Sequence, residues 1–76
     1  MEQLRAFIIA GKYENKTEQF EIREKDANDS ICYEIFLNEK YLFTVSPKGE
    51  IIFNSESNKM NKDDMNKLIK KITEQI

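Results

Sequence analysis

Hydrophobic residues change their spacing once along this chain, near residue 58. Before that point they recur at every second position or run solid. After it they recur at helical spacing. One such switch divides the chain into a strand-rich part and a single helix behind it, the order of elements that an α+β fold requires.

The helical part is the plainer of the two. Met65, Leu68, Ile69, Ile72 and Ile76 fall at i, i+3, i+4, i+7 and i+11, one narrow apolar stripe. Asn61 suits the N-cap, where its side chain can accept orphan amides of the first turn. Asp63 and Asp64 then meet the positive end of the helix dipole. Met60 and Met65 take the N′ and N4 places of a hydrophobic staple. Lys70 and Lys71 are expected near the other end, where positive charge is favourable. Leu68 and Ile72 are expected in the core.

Residues 31 to 54 read as strands. Ile31 to Leu37 is rich in β-formers. Asn38-Glu39 follows as a tight turn, since Asn tolerates positive φ. Tyr41 to Val45 is the next strand. Ser46-Pro47-Lys48-Gly49 is a turn in which Pro presets φ and Gly takes the left-handed position. Glu50 to Asn54 returns. A three-residue Pro47–Gly49 loop would put Tyr41, Phe43, Val45, Ile51 and Phe53 on one face, with Leu42, Thr44 and Ile52 on the other. Thr17 to Arg23 alternates, with Phe20 and Ile22 on one side. Leu4 to Ala10 fits a strand better than a short helix ended by Gly11, because Phe7, Ile8 and Ile9 are β-formers. Residues 26–30 are left as a polar loop.

The expected fold is therefore an antiparallel β-meander of about five strands, with one C-terminal amphipathic helix packed on one face. The alternative has helices at both ends of a four-strand sheet. The run from Tyr33 to Gly49, with a helix after it, resembles small uncharacterised bacterial domains of the strand-meander-plus-helix type. The likeness lies in hydrophobic pattern and turn positions. It implies a fold, no activity, and no functional residue.

Length sets the scale. Seventy-six residues make one small domain, 1–76, burying roughly 60% of the surface that its unfolded chain exposes. One cysteine cannot form an internal disulfide, and no Cys/His set could hold a structural metal. Domains without such staples often gain core by oligomerising. The longest apolar run, Ala6 to Ala10, is far short of the about 20 residues of a membrane span. Met1-Glu2-Gln3 starts acidic, unlike a secretory signal. The expected setting is cytoplasmic, without membrane, and the sequons at Asn15 and Asn28 are then chance matches.

Chemistry is sparse. Without histidine, the Ser-His, Cys-His and His-metal arrangements are absent. Cys32 has no basic neighbour in sequence to lower its pKa and reads as a packed strand residue. Glu34, inside an apolar run, would need burial to act as an acid or base; it reads as an outward strand residue. Glu14, Glu18, Glu21 and Glu24 read as a solvated strand surface. Asp26-x-Asn28-x-Ser30 has the opening spacing of a calcium loop, but Ile31 and Leu37 stand where Gly and Glu are needed. Gly11 and Gly49 are isolated, so no glycine-rich loop cradles a phosphate; Gly11 reads as a turn or helix end. No catalytic residue, cofactor or metal is expected.

Two features bear on partners. Residues 59–76 carry five lysines against Asp63, Asp64 and Glu74, in a chain of net charge −2. No aromatic is interleaved with those lysines, which argues against nucleic acid. The stronger feature is a surplus of apolar side chains. Both faces of the central strands carry them, and one helix covers one face. Either the N-terminal segment covers the second face or a partner does. The candidate interaction surface is Phe36 with Leu42, or Phe43 with Phe53 if the faces are reversed. The expected function is a non-enzymatic protein-interaction module that self-associates through its sheet as a homodimer, or binds another protein. The alternative is a small-ligand or anion-binding domain using the lysine-bearing helix face.

Overall fold

Five strands and a helix follow one another: β1 (Ala6–Tyr13), β2 (Lys16–Ala27), β3 (Ser30–Leu37), β4 (Lys40–Val45), β5 (Ile51–Asn54) and α1 (Lys62–Gln75). The computed structural model describes residues 4–27 and 30–76. Each strand pairs antiparallel with the next, in the order β1-β2-β3-β4-β5. The fold is thus an α+β meander with one helix on one face. The alternative with an N-terminal helix does not form. Gly11, expected at a turn or helix end, lies inside β1.

Two-residue turns fix two of these connections. Glu14 and Asn15 (φ 50° and 68°) join Tyr13 to its partner Lys16, and Asn38 and Glu39 (φ 51° and 69°) join Leu37 to Lys40. Positive φ at both positions is the type I′ geometry, whose twist matches that of antiparallel strands. Asn38-Glu39 was legible in sequence; Glu14-Asn15 was not. The third visible turn is the predicted one. The Ser46 carbonyl accepts from Gly49 N at 2.9 Å, Ser46 N donates to the Glu50 carbonyl at 2.8 Å, and Gly49 sits at φ 90°. The stretch read as a loop at 26–30 is narrower. Asp26 and Ala27 belong to β2 and Ser30 to β3; Asn28, and with it the calcium-like spacing, lies outside the described residues.

The helix begins as its sequence demands. Asn61 Oδ1 accepts from Asp64 N at 2.8 Å, and Asp63 and Asp64 occupy the first turn. Met60, Met65, Leu68, Ile69 and Ile72 are buried. They meet Ile9, Phe20, Ile22, Tyr33, Ile35 and Phe43 from the sheet in one core. Full burial of a Phe, Ile or Leu there stabilises by about 1.5–3 kcal/mol each. Ile76, placed on the stripe by spacing, follows the last turn and is exposed. The last turn holds no basic residue; Lys70 and Lys71 sit before it. Lys71 Nζ instead donates to the Ala10 carbonyl at 2.8 Å. No helix among the described residues is long and apolar enough to cross a membrane.

The helix lies nearest β1. Gly11 is bare because Leu68 and Phe20 close over it: a Cβ there would stand 3.1 Å from Phe20 and 3.4 Å from Leu68. On its other flank the helix meets the β4–β5 turn, where a Cβ on Gly49 would approach Ile69 to 3.1 Å. The first strand is also held at its start. Arg5 N and its guanidinium donate to Glu24 at 2.8–3.2 Å, and the Tyr33 hydroxyl donates to the same carboxylate at 3.3 Å. The Glu24 side chain is only 8% exposed. This corrects its reading as a solvated residue: β2 turns it toward the helix side of the sheet, beside Tyr33. The hydrogen bonds from Arg5 hold its carboxyl below the ordinary carboxylate value.

Candidate interaction surface

The sheet face away from α1 carries no second layer among the described residues. The N-terminal strand widens the sheet at β2 and does not fold back over that face. What the face displays depends on two irregularities of register.

A regular meander would keep Tyr41, Phe43, Val45 and Phe53 together. Instead Ile35 pairs with Phe43 while Phe36 pairs with Tyr41, so Leu42 is an extra residue in β4. Likewise Val45 pairs with Ile51 while Thr44 pairs with Phe53, so Ile52 is extra in β5. Each bulge shifts the alternation by one. Tyr41 and Phe53 are thereby moved to the face of Phe36, Glu34 and Thr44.

The result is an aromatic row across three strands. The Phe36 and Tyr41 rings meet edge to face at 5.6 Å, and Tyr41 stacks on Phe53 at 6.1 Å with an interplanar angle of 18°. Arg23 of β2 caps the row, its guanidinium carbon 4.1 Å from the Phe36 centroid. The same guanidinium is held by Glu21 at 2.7 Å. Tyr41 and Thr44 share a hydrogen bond between their hydroxyls. A shallow groove of about 370 Å³ runs beside the row, between Lys25 and Glu34 on one side and Ile52 and Phe53 on the other.

Of the expected surface residues, Phe36 and Phe53 share this face. Leu42 and Phe43 do not: both are fully buried. Neither proposed pair, Phe36 with Leu42 or Phe43 with Phe53, occurs. Bulging lets Leu42 turn into the core beside Phe43, and the face receives Tyr41 in its place. Ile52, Tyr41 and Arg23 were missed as members. Only the adjacent apolar pair Ile51-Ile52 hinted at an irregular strand.

The edge strand β5 is the least covered part of the sheet. Ile51 is 44% exposed, Ile52 60% and Phe53 59%. An edge strand also leaves half of its backbone groups without a strand partner.

The reactive groups nearby are quiet. Burial, and then the Glu34 carboxylate, push the Cys32 thiol above its ordinary value, so it stays protonated at neutral pH. Glu34 stands 3.6 Å from Lys25 Nζ. No group of three or more acidic, Cys or His residues among the described residues could hold a metal ion. Set beside protein-family models, curated proteins and solved structures, the chain matches none of them.

Proposed function

We propose that this domain is a non-enzymatic interaction module whose partner is a second copy of itself, docked through β5 and the aromatic row beside it. The observation that carries the reading is the exposure of Ile51, Ile52 and Phe53 on one uncovered edge strand, continuous with Phe36 and Tyr41. Apolar clusters of this kind on a small domain favour burial against another surface.

Three points favour a second copy. An antiparallel strand edge is self-complementary about a two-fold axis, so one patch can serve both sides. Charges beside the aromatic row are paired with opposite ones, Arg23 with Glu21 and Glu39 and Lys25 with Glu34, which limits repulsion between identical faces. And a chain of 76 residues with a single cysteine has no internal disulfide to supplement its core.

Such an interface should bury at least about 1,000 Å² in total. Sedimentation at micromolar concentration tests it. The expected species has twice the 9.0 kDa mass of the chain, and Phe53→Glu reduces it to monomer while leaving the monomer's fold intact by circular dichroism. A wild-type monomer throughout the range overturns self-association. If that monomer binds a hydrophobic dye at this face, the patch serves a different protein.

A further inference from the structure

We propose that the groove between α1 and the β1 edge is a binding site for a small amphiphilic anion: a single carboxylate or phosphate head carried on a short apolar body. It lies at the opposite edge from β5 and stands independently of the self-association reading.

The groove has a volume of about 390 Å³, and its lining includes Lys12, Lys67, Lys70 and Lys71 against Asp64 and Glu74. A chain with a net charge of −2 thus lines one depression with four lysines. The sequence shows the helical lysines but not Lys12. Pairing of Lys12 with Thr17 at the end of the β1–β2 hairpin brings it to the same groove.

The lysines are not all committed to the fold. Among the described residues, the side-chain ammonium groups of Lys12 and Lys70 have no protein partner. Lys67 is 3.3 Å from Asp63, but both side chains are largely exposed, and such a pair holds weakly. Lys71 spends one of three donors on the Ala10 carbonyl. That bond fixes one ammonium at the strand edge and leaves it two donors.

The floor and the ends define the ligand. Ala10, Gly11 and buried Leu68 supply an apolar floor, together with the methylene stems of the lysines. Lys67, Lys70 and Lys71 lie within one helical turn, close enough for one head group. Asp64 and Glu74 stand about 15 Å apart along the helix axis, at 1.5 Å per residue, and bracket the lysines. A longer polyanion would run onto a carboxylate at either end. The site therefore suits one compact anionic head with an apolar body over Leu68, and it disfavours nucleic acid.

The test is amide chemical-shift titration at low salt with octanoate and, separately, inorganic phosphate. Octanoate should give saturable shifts confined to residues 10–12 and 67–71, weakening as salt is added. Lys12→Gln/Lys70→Gln should bind octanoate at least ten-fold more weakly with an unchanged melting midpoint, while Lys12→Arg/Lys70→Arg retains binding. Absence of saturation, or equal binding by the Gln double variant, overturns the site. Phosphate binding as tightly as octanoate overturns the amphiphilic class, since the apolar floor would then contribute nothing.

Discussion

The two edges of the sheet are treated in opposite ways. At β1 the helix packs against the strand, Lys71 occupies a backbone carbonyl of the edge, and Arg5 ties the strand's entry to Glu24. At β5 four residues stand exposed, three of them large and apolar. An open edge is a template for another strand, and proteins cover it, charge it or keep it short. This chain packs a helix and sets charges against one edge, where Ile8 alone of the large apolar residues of the strand stays exposed, and only shortens the other. The difference teaches where cohesion and open surface reside: the β1 side ties helix to sheet, and the β5 side stays uncovered, the surface on which the proposed self-association rests.

The sharpest break of that comparison is a pair of truncations measured where the chain is monomeric. Leu68→Ala removes a side chain that, with Phe20, closes over Gly11. It should cost about 2–4 kcal/mol in denaturant unfolding, enough to unfold much of so small a domain. Phe53→Ala, on the open edge, should cost under about 0.5 kcal/mol, the usual range for surface changes. Equal costs would mean that β5 carries the fold as much as α1 does.

Gly49 is the point where the β5 side touches the helix. Gly49→Val must place a β-branched residue at φ 90° and push against Ile69. A loss of about 1–2 kcal/mol is expected from the left-handed backbone alone. A thermal midpoint equal to wild type would show that this tie contributes nothing.

The smallest effect belongs to the start of β1. Glu24 has its carboxyl held below its reference value of 4.5, chiefly by hydrogen bonds from Arg5. A depressed carboxylate stabilises the fold at pH above its unfolded value, and that contribution fades as pH falls through the lower folded one. Stability should thus decline below about pH 4.5, the unfolded reference. In Glu24→Gln part of that decline should disappear, with the two proteins converging in acid. Parallel profiles of wild type and variant would mean that the Arg5 contact does not anchor the strand.

Much of the architecture was legible because it rests on local chemistry. Asn61 caps α1 through a bond to a residue three positions on, and its first turn is acidic for the same local reason. Asn38-Glu39 and Ser46–Gly49 turn where their backbone preferences allow. The stripe from Met65 to Ile72 follows from helical period alone, and it fails only at Ile76, where the helix has ended. Glu24 escaped recognition because nothing near it in sequence marks a partner nineteen residues away at Arg5. Lys12 escaped likewise, its groove being shared with residues more than fifty positions later.

By itself the sequence determined the class of fold, the order of its elements, the cap and buried stripe of the helix, and the presence of more apolar surface than one helix covers. Each follows from spacing and residue type within a few positions. Only the tertiary structure decided which apolar groups remain outside. Register between strands is set by packing on the covered face, and two single-residue bulges, at Leu42 and Ile52, answer that packing. They send Leu42 inward to fill the core and carry Tyr41 and Phe53 to the open side. One extra residue reverses every alternation beyond it, so the identity of the exposed row was a property of the packed sheet and not of any strand read alone.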